Sequence, residues 1–154
     1  ASEAHGLKHV ILRYFNVAGG DPRHRTGQSS ARATHLIKVA AEAATGKRDG
    51  MSVFGTDYPT NDGTCVRDYI HVSDLARAHS AALDHLRGGG ASGTFNCGYG
   101  HGFSVLEVID TVKKVSGVNF PVRLEPRRPG DPAGLVADNN RIRSTLKWQR
   151  QLDY

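Results

Sequence analysis

The sequence has 154 residues, of which 38% are hydrophobic and 23% charged, and its formal net charge is +5. That composition suits a globular chain with its own core and excludes intrinsic disorder, and no apolar run is long enough to span a bilayer, so no membrane role is expected. The positive balance fits either nucleic acid or a small phosphorylated ligand; the arginines are scattered in ones and twos with no basic run, so no nucleic-acid partner is expected.

His9–Phe15 is a short apolar run rich in β-formers and reads as a buried strand ending at Asn16. A loop with Gly19, Gly20 and Pro22 follows, and from Thr34 the spacing turns helical, with Leu36, Ile37, Ala40 and Ala43 on one face and Gly46 as the stop. Met51–Phe54 reads as a strand, Gly55–Gly63 as a loop and Arg67–Val72 as another strand. Ser73 is the expected N-cap of the next helix, with Asp74 in its first turn and Leu75, His79, Ala82, Leu83 and Leu86 on its apolar face, before Gly88-Gly89-Gly90. Thr94–Cys97 is a short strand, and Ser104 and Glu107 have capping-box spacing ahead of a helix carrying Val105, Ile109 and Val112. Pro121–Leu124 is a last strand, and a helix is expected near Asn140–Lys147. Strands alternating with helices predict an α/β fold with a mainly parallel sheet.

Cys65 and Cys97 have no CxxC spacing, so free thiols in a reducing cytoplasm are expected. No metal site is expected, because His5 and His9 have no third ligand nearby. No glycine pattern is read as matching GxGxxG or the P-loop, and Gly98–Gly102 reads as a tight crossover.

Three polar segments adjoin strands, where ligands bind in open α/β sheets. The first is Tyr14-Phe15-Asn16, whose amide suits a phosphate or carbonyl and equally suits a turn cap. The second runs from Asp57 to Val72. Its Arg67 has the fork geometry that phosphate needs, with Asp68 beside it to hold the guanidinium; a surface ion pair is the plainer alternative. Tyr69 and His71, alternating with Ile70 and Val72, equally describe a half-buried strand with a satisfied histidine. The third is Arg127-Arg128-Pro129-Gly130-Asp131, where two arginines can clamp a pyrophosphate and Asp131 can accept from a ribose diol; an exposed basic turn is the alternative.

At these segments the chain resembles the UDP-glucose 4-epimerases of the extended short-chain dehydrogenase/reductase superfamily. The stretch Asp57–Val72 with Asp74-Leu75-Ala76 is similar to that family's characteristic C-terminal signature, and Leu12–Asn16 and Pro126–Asp131 fall in the family's order and spacing. The resemblance implies the last strands and helices of a Rossmann-type sheet plus a small substrate domain. Residues 1–20 would end the NAD-binding domain and 21–154 form the UDP-sugar region, with 73–100 packing back on the Rossmann sheet. It further implies that Tyr14 lies by the nicotinamide of NAD and Asn16 touches the UDP diphosphate. His35 and Leu36 would stand where the family has an Asn-Leu pair at the UDP-sugar. Ser52, Val53 and Phe54 would form the backbone and side-chain wall around uracil, Arg67 and Arg128 grip the diphosphate from two sides, and Asp131 hold the ribose. Leu135 would stand where the family often has a Tyr that closes the sugar pocket, which implies a roomier pocket tolerant of N-acetylated hexoses. The family's catalytic Tyr and Lys and its glycine-rich NAD loop are expected upstream of Ala1, both ends being expected cuts in a longer protein. The chain alone is then expected to be inactive, and the full-length enzyme to be a homodimer that epimerises UDP-glucose and UDP-galactose. A UDP-pentose or UDP-N-acetylhexosamine 4-epimerase is the nearest alternative, and a basic module for nucleotides or nucleic acid the alternative of another class.

Overall fold

The computed structural model describes residues 2–152. In chain order its elements are α1 (Ser2–His5), β1 (Val10–Tyr14), β2 (Asn16–Ala18), α2 (Leu36–Ala44), β3 (Met51–Phe54), β4 (Val66–His71), α3 (Val72–Arg87), β5 (Gly93–Cys97), β6 (Gly102–Ser104), α4 (Val105–Ser116), β7 (Val122–Glu125), β8 (Gly134–Leu135) and α5 (Asn140–Leu146). The pairs β1–β5, β2–β4, β3–β7 and β4–β8 are all parallel. The class is therefore α/β, as the alternating pattern predicts. The chain folds as two compact units.

The first unit holds the residues up to Gly27, Asp68–His101 and those from Val136 onward. In this unit β1 runs beside β5, from Val10 opposite Gly93 to Tyr14 opposite Cys97. Its core gathers Ile70, Leu75, Ala78, Ala82, Phe95, Cys97, Ile142, Leu146 and Trp148. The second unit holds Gln28–Arg67 and Gly102–Leu135. There β3 pairs with β7, and α2 and α4 close over Ala40, Ala43, Met51, Val53, Ile109 and Phe120. Each large side chain buried in these cores contributes about 1.5–3 kcal/mol.

Helix ends follow the sequence with one correction. Ser104 and Glu107 form the predicted capping box: Ser104 Oγ accepts from Glu107 N–H at 3.1 Å, and Glu107 Oε2 accepts from Ser104 N–H at 2.7 Å. The N-cap of α3 is His71, not Ser73, because His71 Nδ1 accepts the Ser73 N–H at 3.1 Å and the helix opens at Val72. The apolar face of α3 also differs from the expected one. Ala78 is buried and Leu83 is half exposed, since the stripe through Leu75, Ala78 and Ala82 leaves position 83 on the outer side.

Asp74, in the first turn of α3, is fully buried. Its carboxylate accepts from Tyr99 Oη and Arg77, and from the N–H groups of Gln151 and Leu152 at 3.0 and 3.1 Å. Its backbone carbonyl accepts Trp148 Nε1–H at 3.0 Å. Burial pushes the Asp74 carboxyl up, and the hydrogen bonds led by Tyr99 and Arg77 outweigh it, so its pKa lies below the ordinary 3.8. Cys65 and Cys97 are both free and buried. Burial, helped by the negative charge of Asp68 and Asp74, pushes the Cys97 thiol up to about 12, so it stays protonated.

Candidate functional site

In the second unit β3, β4 and the loop after β7 bring together residues far apart in sequence. Arg67 lies near the start of β4, and its side chain is 14% exposed. Arg67 Nη1 donates to the carbonyls of Val66 and Pro132 at 2.9 and 2.8 Å, which fixes the guanidinium against the 131–134 stretch. Arg67 Nη2 faces Asp131 Oδ1 at 3.6 Å, an ion pair longer than a hydrogen bond. The Asp131 N–H donates to the Arg128 carbonyl at 3.3 Å, closing the turn at Pro129-Gly130. The Arg128 guanidinium lies 3.7 Å from the centre of the Phe54 ring, a cation–π contact. Arg67 is thus paired with Asp131, at the end of a turn whose Arg128 stacks on Phe54, and Leu135, 44% exposed, stands opposite Arg67 in the β4–β8 register.

The adjacent arginines have different tasks. Arg127 is committed within the protein: its Nε donates to Asp57 Oδ1 at 2.6 Å, its Nη2 to the Asp57 carbonyl, and its guanidinium lies 4.1 Å over the Tyr58 ring. The Arg127 guanidinium beside Asp57 holds that carboxyl below its ordinary value. Gly55, at φ +84°, makes this packing possible, because a Cβ there would meet Tyr58 Cε2 at 2.5 Å and Arg127 Cγ at 2.7 Å. Among the described residues no acid partners Arg128.

Val53 is 1% exposed with its side chain in the α2–α4 core, and alternation along β3 leaves the half-buried Ser52 and Phe54 on the other face. One expectation for this region needs correction. Asp68 does not hold Arg67. Neighbours on a strand point to opposite faces, and the Asp68 carboxylate is fully buried, accepting from the N–H groups of Tyr99, Gly100 and Ala137 at 3.0, 2.9 and 3.1 Å. The acid beside Arg67 is Asp131. Sequence reading missed this role of Asp68; strand alternation was the signal that could have found it.

His35 and Leu36 find their partners elsewhere. The His35 ring Nδ1 lies 2.8 Å from Gln28 Nε2, and Leu36, the first residue of α2, packs on the second unit's core. In the first unit, Tyr14 ends β1, 52% exposed, with its ring centre 6.4 Å from that of His79. Asn16 opens β2 rather than a turn, and its Nδ2 donates to the Asp68 carbonyl at 3.3 Å. Gly88, Gly90 and Gly93 do have GxGxxG spacing, contrary to the sequence reading. They follow a helix and precede a strand, the reverse of the strand–loop–helix order that cradles a pyrophosphate, and so they serve as the stop of α3. Among the described residues no group of three or more His, Cys, Asp or Glu side chains is placed to hold a metal, and no helix is long and apolar enough to cross a membrane.

Comparison with known proteins places this geometry in context. The family model described as the NAD dependent epimerase/dehydratase family matches residues 1–98. A UDP-glucose 4-epimerase from Azospirillum brasilense is 62% identical over 148 residues, covering 96% of this chain and 42% of that protein. The structure of a Bifidobacterium longum UDP-glucose 4-epimerase, solved with NAD⁺ and UDP, superposes with a TM-score of 0.87 at 40% identity, over 99% of this chain and 46% of that one. The UDP-Glc/GlcNAc 4-epimerase of Campylobacter jejuni superposes at 0.80 with 56% identity, again over 99% and 46%. The chain thus spans less than half the length of the relatives it matches. With its parallel α/β pairings and a family model matched over most of its length, the chain belongs to the NAD dependent epimerase/dehydratase family.

Proposed function

We propose that this chain is the UDP-sugar-gripping part of a UDP-glucose 4-epimerase that interconverts UDP-glucose and UDP-galactose. The observation that carries the reading is the pairing of Arg67 on β4 with Asp131 in the loop after β7, at the end of a turn whose Arg128 lies over the ring of Phe54. Two guanidinium groups supply charge and forked donors for a diphosphate, Asp131 an acceptor for ribose hydroxyls, and Phe54 a ring face for a base. Ser52 shares the strand face of Phe54 and would complete the base wall. This division of labour fits an epimerase. Strong contacts to the non-reacting UDP leave the hexose held weakly enough to present either face of C4.

The C4 hydrogen is not acidic, and NAD, when bound, supplies a reversible hydride acceptor for it. The residues present fit only one edge of that cofactor. Tyr14 at the end of β1 is exposed and is the residue we assign to the nicotinamide side, whereas the glycine-rich pyrophosphate loop and a Tyr-x-x-x-Lys pair do not occur here in usable form. We therefore assign this chain to substrate binding and expect it to be inactive alone. The working enzyme is a cytoplasmic homodimer in this reading.

Leu135 favours a broader substrate range. It is an exposed aliphatic residue opposite Arg67, and the similar Campylobacter protein is described as acting on both UDP-Glc and UDP-GlcNAc. Assay of the full-length protein tests both points: UDP-galactose should be converted to UDP-glucose, and UDP-N-acetylgalactosamine to its C4 epimer. No turnover of UDP-galactose refutes the main reading; turnover of UDP-galactose alone refutes the broader range.

A further inference from the structure

We propose that Asp57 is a positioning residue for the nucleotide grip: it holds Arg127 away from the ligand and so limits how tightly a diphosphate is bound. The inference rests on the function proposed above, and every residue it uses lies in the second unit. Strands β3 and β7 end together, with the Gly55 N–H donating to the Glu125 carbonyl at 2.8 Å, and each runs into a turn. The first turn closes on itself through the Tyr58 N–H and the Gly63 carbonyl at 2.9 Å. The second carries Arg127 and Arg128 and ends at Asp131, the partner of Arg67. The two arginines stack on rings that flank Gly55, Arg128 on Phe54 and Arg127 on Tyr58. Only Arg127 is also taken by Asp57, whose Oδ1 accepts from its Nε at 2.6 Å and whose carbonyl accepts from its Nη2.

The Asp57 side chain is 73% exposed and that of Arg127 44%. An ion pair this open to water adds little to stability, so its larger consequence is where it puts the charge. Arg127 adjoins Arg128 in the chain, with Cα atoms about 3.8 Å apart. Burial, then Cys65 and Asp131, push the Tyr58 hydroxyl up, and Arg127 pulls it down, so the charges of Arg127 and Asp131 both act on one side chain. A guanidinium released at this place would bring another fork of donors to a phosphate beside Arg128; Asp57 neutralises it and occupies its Nε side. Arg127 in turn holds the Asp57 carboxyl below its ordinary 3.8, so the pair is ionised at neutral pH. A further contact to the UDP would be made equally in ground and transition states, lowering KM without raising kcat and slowing product release. Keeping Arg127 paired avoids that.

The test uses the full-length protein and compares wild type with Asp57→Asn, Asp57→Glu and the double variant Asp57→Asn/Arg127→Ala. UDP affinity is measured by calorimetry at low and high salt, and kcat and KM with UDP-galactose. Asp57→Asn should bind UDP about fivefold tighter and lower KM by a similar factor, with kcat no higher than wild type. The gain should shrink as salt rises, because the pair and the ligand are both open to solvent. Asp57→Glu keeps the charge and should stay within about twofold of wild type, and the double variant should lose the gain. Unchanged or weaker UDP binding by a folded Asp57→Asn overturns the proposal. A gain that persists in the double variant also overturns it, since removal of a negative charge would then suffice without Arg127. Failure of Asp57→Asn to fold makes the pair a structural staple and overturns it too. A wild type that does not bind UDP removes the functional reading itself, a result separable from any difference between variant and wild type.

Discussion

The buried carboxylates of the first unit and the arginines of the second use charge in opposite ways. Asp68 and Asp74 are fully buried, and every oxygen accepts at least one hydrogen bond from the protein. Their charge is spent on holding backbone segments in place. Arg67 and Arg128 lie partly or largely open, supported by carbonyls, one loose ion pair and an aromatic ring, with donors left over. In the proposed reading the difference separates scaffold from site: the carboxylates are saturated within the protein, and the arginines are the charges left for a ligand. Arg127 and Arg128 repeat the lesson between neighbours, the first saturated by Asp57 and the second not.

The contrast can be broken most severely at Asp74. Asp74→Ala leaves Arg77, Tyr99 Oη and two backbone N–H groups without their acceptor, and should lower unfolding free energy by about 3–5 kcal/mol, read by chemical denaturation. The same group sets an acid limit. Its folded pKa is below its unfolded one, so its contribution is complete above the ordinary 3.8 and is lost as pH falls through the folded value. Melting temperature should change little with pH near neutrality and drop below about pH 4, and Asp74→Ala should remove part of that drop. Next in size, Arg128→Ala should weaken UDP binding about tenfold, or about 1.4 kcal/mol, while leaving the melting temperature nearly unchanged. Ser104→Ala should cost about 1 kcal/mol of stability through loss of the capping box, with UDP affinity intact. The smallest effect should be that of Arg127→Ala on UDP affinity, less than about threefold, since its donors already serve Asp57.

How much of this could be read from the sequence depended on distance along the chain. The capping box at Ser104 and Glu107 lies within one helical turn, so its spacing alone located it. The strands around Val10, Met51 and Phe95 carried enough apolar residues to show their period. The short strands β2, β6 and β8 have three residues or fewer and present no period to detect. Asp68 was misread because its Ala137 contact spans 69 residues, and adjacency to Arg67 offered a more obvious partner. The ring nitrogen of His71 displaced Ser73 as N-cap because only the folded backbone shows which acceptor reaches the Ser73 N–H. For the candidate site, sequence identified Arg67, Arg128 and Asp131; their mutual distances and the sequestration of Arg127 required the fold.

The central claim is that Arg67 is held ready for a diphosphate. Titration of UDP into the full-length protein, wild type beside Arg67→Ala, tests it most directly. The account predicts saturable binding to the wild type and at least about tenfold weaker binding to the variant, with the difference shrinking as salt rises. Equal affinity of the two proteins for UDP, in a variant that melts like the wild type, would contradict it.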